Sequence, residues 1–167
     1  RGVAPDENAM DLLIEAGGRL SVIDFFMSED NLKTILRHPA VMVGSDGAAL
    51  VPHGPLGEGK AHPRSYGAFP RVLGTYVREQ KALSLAEAVH KMSGLPAARL
   101  GLTDRGRLRQ GLKADRVLFT AETVRDAATF TDPYQYPAGI EYVFVNGQAV
   151  ITPQGHTGAL PGEILER

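Results

Sequence analysis

Apolar positions recur along the chain with two different periods, and the changes of period mark the expected elements. Met10, Leu13 and Ile14 follow helical spacing behind a capping Asp6, and Gly17-Gly18 end the run. Residues 20–26, rich in β-branched and aromatic side chains, read as a buried strand. Ser28 caps the next helix, with Glu29 and Asp30 in the first turn, where the helix dipole favours carboxylates. Its inward stripe is Leu32, Ile35 and Leu36, and Pro39 stops it. Residues 40–44 read as a second buried strand. Strand, helix and strand at this spacing predict a βαβ unit with parallel strands. Both strands then end on one face, and Asp46 leaves from it.

Residues 47–70 carry Pro52, Pro55, Pro63 and Pro70 and several glycines, and read as one long loop. Loops of that length inside a domain are often functional. Pro70 is expected to start a helix with Val72, Leu73, Tyr76 and Val77 on one side. Ser84-Leu85-Ala86-Glu87 is a capping box, and Leu85, Ala88, Val89 and Met92 form the stripe of the helix it opens. Gly94 closes that helix, and residues 96–100 add a short turn. The character changes near Asp104. Residues 117–120 read as a strand, and 141–145 pairs with 148–151 across Asn146-Gly147, the signature of a type I′ hairpin. The first hundred residues thus read as α/β and the last sixty as mainly β.

Composition narrows the function classes. The chain has 167 residues, 43% hydrophobic and 22% charged, enough for a domain with a real core. Lys and Arg total 18 against 19 Asp and Glu, a net charge of −1 that offers no footprint for nucleic acid or an anionic membrane. No apolar run approaches a membrane span, and no signal-peptide pattern is present. Cysteine is absent, which removes disulfides and thiolate metal sites from this chain and fits a cytoplasmic protein. The chain opens Arg1-Gly2-Val3 and enters a helical pattern almost at once, so it reads as a piece of something longer.

Four features carry candidate chemistry. Gly54, Gly59 and Lys60 nearly fit a phosphate-binding loop, but Ala61 replaces the metal-holding hydroxyl and Pro63 falls where the helix must begin. A flexible glycine loop is the better account. The five histidines, His38, His53, His62, His90 and His156, show no zinc-site spacing; His62 stands out because it lies beside Arg64. Arg64, held among prolines, has a fork of donors suited to a carboxylate, or it anchors its own loop through backbone carbonyls. Arg71, on the following helix, reads as structural. Asp46 in Ser45-Asp46-Gly47 is either an ordinary Asp-Gly turn or a carboxylate at the mouth of a parallel sheet.

Taken together, "VMVGSDG", "HPRSYGAFPRVLGTYVRE", "LSLAEAVHKMSGLPAARLGLTDRGRLRQGLKADRVLF", "DAATFTDPYQYPAGIEYVFVNG" and "HTGALPGEIL" resemble the C-terminal portion of N-acyl-D-amino-acid deacylases, the D-aminoacylase family of the amidohydrolase superfamily. The resemblance implies a TIM-like (β/α)8 metal-dependent hydrolase barrel with a small β-sandwich. On it, residues 1–103 supply the last strands and helices of the barrel with an active-site loop at 47–70, and residues 104–167 the C-terminal part of the sandwich. Asp46 falls on the family's catalytic general base and acid, which can also touch a second, weakly bound metal. Arg64 falls on the arginine that holds the substrate carboxylate. The cofactor implied is zinc, with its main ligands expected outside this chain. The implied partners are a small N-acyl-D-amino acid, and either the remaining N-terminal part of the enzyme or further copies of the chain. The rivals are a cyclic-amide hydrolase of the dihydroorotase or hydantoinase type, which lacks the "HPR-YG-FPRVLG" block, and a non-catalytic scaffold domain.

Overall fold

The computed structural model describes residues 2–20 and 22–165. Helix α1 spans Pro5–Glu15, with Pro5 at its first position and Ala4 as the cap, so Asp6 lies in the first turn and does not cap it. Its apolar positions stay open: Met10 and Ile14 are exposed. Helix α2, Glu29–Arg37, begins as its sequence predicts, with the Ser28 hydroxyl accepting from the Asn31 N–H. It is docked at both ends. The Tyr76 hydroxyl donates to Glu29 at 2.9 Å, and the Arg37 Nε donates to the Ala82 carbonyl at 3.2 Å.

The two expected parallel strands are not formed among the described residues. Residues 22–26 and 40–44 join no ladder (Ser21, part of the first expected strand, lies outside the described residues). A buried parallel strand has no hairpin partner and must be flanked by strands from distant sequence. The described residues supply none. In place of a ladder, the Val41 N–H donates to the His38 carbonyl and the Val43 N–H to the Lys91 carbonyl, both at 3.1 Å.

A helical block follows. Helix α3 starts at Arg64, inside the expected loop, and runs to Arg71, then continues as π-helical turns over Val72–Glu79. Pro70 therefore lies within the helix and does not open it. It has no N–H for the carbonyl one turn back, and the wider register follows directly. Ser84 and Glu87 form the expected reciprocal capping box at the start of α4, Leu85–Val89. The helix does not close at Gly94: π-helical turns over His90–Gly94 lead into α5, Leu95–Leu100. Ala88 is fully buried while Leu85 and Val89 remain partly open, so the buried stripe of α4 is narrower than expected.

A short 3₁₀ turn, Pro55–Gly57, lies within the expected loop, and the strands form one antiparallel sheet in the order β1 (Arg116–Phe119), β2 (Ile140–Val145), β3 (Gln148–Thr152), β4 (Gly155–His156). Asn146 and Gly147 both have positive φ, 48° and 82°, as a type I′ turn requires. The core gathers Leu36, Val72, Leu73, Tyr76, Ala82, Leu83, Ala88 and Val124, with Phe119 and Ile140 packed against it. It thus joins α2, the helical block and the edge of the sheet.

Candidate active site

The site is built where the segment after Val43 meets the start of α3. The Ser45 hydroxyl accepts from the Gly47 N–H at 3.1 Å, turning the chain sharply at Asp46, whose φ is 46°. Gly47 then presses against α3: a Cβ there would stand 3.0 Å from the Ser65 Cα and 3.1 Å from the Arg64 carbonyl oxygen. Any larger residue would have to push the two backbones apart by a few tenths of an ångström. The Ala48 N–H completes the junction by donating to the Ser65 hydroxyl. Asp46 and Arg64 are brought together as a result, with an ion pair of 2.7 Å between the Asp46 carboxylate and the Arg64 guanidinium. The carboxylate is 86% exposed and the guanidinium side chain 44% exposed, so both groups remain open to a ligand.

His62 orients the first turn of α3. Its Nδ1 accepts from the Arg64 N–H at 3.0 Å, acting as a side-chain cap for a helix whose cap position is Pro63. Burial, then the positive charge of Arg64, hold the imidazole below its ordinary range against an opposing pull from Asp46. A neutral ring keeps Nδ1 as an acceptor. The ring meets Phe130 edge-on at 5.3 Å, and Phe130 meets Phe25 at 4.7 Å, so an aromatic row lies beside the ion pair.

The long loop is fastened from behind by residues 126–134. Lys60 donates to the Thr131 carbonyl at 2.8 Å, and the Tyr134 hydroxyl to the Gly59 carbonyl at 3.0 Å. Lys60 is thereby committed to the loop's own structure, and no helix begins after it until Arg64, as the discounted phosphate-loop pattern would have needed. Arg71 pairs with Asp126 at 3.1 Å, in keeping with a structural role. The sequence reading missed Ser65, Phe130 and the capping role of His62. Only His62 carried a signal, its place two residues before Arg64.

The described residues contain no group of three His, Cys, Asp or Glu side chains able to hold a metal ion. His38 and His156 accept backbone N–H groups through Nδ1. Nor is any helix among the described residues long and apolar enough to cross a membrane.

The exposed aspartate and arginine lie at the junction between the segment after α2 and the start of α3. Residues 4–151 match the model of the amidohydrolase family, and the chain belongs to that family. Among characterised relatives from Alcaligenes xylosoxydans xylosoxydans, it is 46% identical over 160 residues to an N-acyl-D-aspartate deacylase, covering 96% of this chain and 30% of the relative. It is 49% identical over 145 residues to an N-acyl-D-glutamate deacylase and 46% identical over 145 residues to a D-aminoacylase, covering 87% of this chain and 28% of each. Of solved structures, a D-aminoacylase that defines a subset of amidohydrolases superposes with a TM-score of 0.77 at 44% identity, over 84% of this chain and 28% of that one. An N-acyl-D-glutamate deacylase from Bordetella bronchiseptica, bound to zinc and a phosphonate mimic of the tetrahedral intermediate, superposes with a TM-score of 0.73 at 44% identity, over 83% and 28%. A further D-aminoacylase of the same likeness has a binuclear metal centre, activated by one metal and attenuated by a second. The chain spans under a third of the length of these relatives.

Proposed function

We propose that this chain is the C-terminal part of a zinc-dependent deacylase that cleaves N-acyl-D-amino acids to a carboxylate and a free D-amino acid. In that reading residues 1–103 complete a TIM-like barrel and residues 104–167 complete a small sandwich. The observation that carries it is the ion pair between Asp46 and Arg64, held open at a loop junction. Identity of 46–49% to three N-acyl-D-amino-acid deacylases supports the same reading and does not favour one amino-acid side chain over another.

Asp46 takes the proton of the attacking water and returns it to the departing amine, because an amide nitrogen leaves poorly unless protonated. Arg64 holds the substrate α-carboxylate. Its guanidinium has five donors, so it can keep Asp46 through one nitrogen and present others to the ligand. A catalytic zinc takes about three protein ligands, and the described residues do not bring such a set together by themselves. Its principal ligands belong to the rest of the enzyme, and Asp46 is the group here that can touch a second metal. When bound, the metal supplies a Lewis acid for the acyl carbonyl.

The same reading accounts for Val22, Phe25, Phe26 and Met27, which stand 70–81% exposed in one short run. A run of that kind is covered in a working protein. We assign its cover to the remainder of the same enzyme, which also supplies the missing strand neighbours.

The test is Asp46→Asn in the full-length enzyme, which keeps size and backbone preference and removes the base. The expected result is a fall in kcat of about a hundredfold or more. Near-normal kcat with normal metal content would rule out the assignment.

A further inference from the structure

Lys91 is 4% exposed; its ammonium bonds only to backbone carbonyls, and Glu87, one turn earlier, is the carboxylate its charge acts on. A buried ammonium is costly unless its donors are satisfied, and a methionine would fill the same space without that cost. The lysine must therefore do something an apolar side chain cannot. Its Nζ donates to the carbonyl oxygens of His38 and Val41, the second at 3.0 Å, and its own carbonyl accepts the Val43 N–H at 3.1 Å.

These partners lie along one path. His38 is the C-cap of α2, where the end of the helix carries partial negative charge and favours a cation, and its carbonyl accepts from the Val41 N–H as well as from Lys91. Val41 and Val43 belong to the segment that leads to Asp46. That segment has no ladder among the described residues to fix it. After Val43 the next fastenings are the Ser45 turn that spans Asp46, the Asp46–Arg64 ion pair, and the Ser65 hydroxyl beyond it. Lys91 thus ties the near side of the catalytic turn to the helical block, while α3 ties the far side.

We propose that Lys91 is a positioning residue for Asp46. It holds the 38–43 segment against the helical block so that the carboxylate meets Arg64 and the reacting water at a fixed place. The proposal rests on the reading of Asp46 as proton acceptor and adds a residue that touches neither substrate nor metal. Misplacing a catalytic group by about 1 Å can cost up to about a hundredfold in rate.

The experiment is a double-mutant cycle in the full-length enzyme, with metal content and circular dichroism recorded for every variant. Lys91→Met and Asp46→Asn are made singly and together, and kcat and KM are measured on an N-acetyl-D-amino acid. Lys91→Met alone should lower kcat about tenfold or more and leave KM nearly unchanged. In the Asp46→Asn background it should cause no further loss, since the group it positions has gone. Equal losses in both backgrounds, or no loss in either, would overturn the proposal. Should Lys91→Met not fold, the same cycle with Lys91→Gln, which keeps an N–H donor on a shorter arm, decides by the same rule. Full activity of Asp46→Asn alone overturns both readings. Inactive Asp46→Asn with additive effects of Lys91 overturns this one only.

Discussion

Residues 64–100 and residues 22–46 differ in where their backbone groups find partners. In the helical block the donors and acceptors close within a few residues, the Ser84–Glu87 box satisfies the start of α4, and Val72, Leu73, Tyr76 and Ala88 are buried. The earlier stretch has one self-contained element, α2, fastened through Glu29 and Arg37, flanked by segments without a ladder. Its apolar side chains at Val22, Phe25, Phe26 and Met27 face outward. The proposed site sits at the end of this second kind of region. The turn at Asp46 is met from the first kind of region by Arg64 and Ser65, and the segment before it by Lys91.

The sharpest way to break this comparison is to charge the exposed run. Phe26→Asp should destabilise the full-length enzyme by about 3 kcal/mol or more if Phe26 is covered there, because an unpaired charge would be buried. The same change in the 167-residue segment should leave its thermal melt nearly unmoved. Equal, small effects in both would mean that the run is solvent-facing in the enzyme too.

Arg64→Lys sharpens the functional side. Lysine keeps the charge and loses the planar fork, so kcat/KM for free-acid substrates should fall about tenfold or more. The corresponding substrate amides should change little. Equal losses for both would make Arg64 a loop anchor.

Gly147→Ala tests the self-contained end of the molecule. The φ of 82° at that turn should cost an alanine about 1–2 kcal/mol, read as a lower denaturation midpoint with unchanged kcat. The smallest effect is expected from Ser84→Ala. Losing the capping hydroxyl should cost about 1 kcal/mol, again without effect on turnover.

What was legible in the sequence follows the same division. The Ser28 cap, the Ser84 box and the Asn146-Gly147 hairpin were all readable because each depends on a few adjacent residues. Pro70 misled because proline is favoured at a helix start, whereas here His62 and Pro63 open the helix a turn and a half earlier. The strands at 20–26 and 40–44 were read from apolar content, but a parallel strand exists only with neighbours, which local sequence does not record. At the site, Asp46 and Arg64 were both singled out. Their contact was not foreseeable, because it depends on Gly47 pressing on Ser65 across a long loop. Lys91 gave no signal at all, since lysines on helices are usually exposed.

The left-handed backbone at Asp46 has a consequence for how such proteins decay. Aspartate, asparagine and glycine are the residues that adopt that conformation with little strain. On the proposed role of Asp46, a lineage released from selection for turnover would therefore drift at position 46 toward Asn or Gly, preserving the loop after the proposed proton acceptor has gone. Inactive descendants should be recognisable by an intact Ser-Asn-Gly or Ser-Gly-Gly turn in front of an otherwise unchanged His-Pro-Arg block. Alanine, the usual choice of a mutational scan, would confound lost chemistry with a distorted turn.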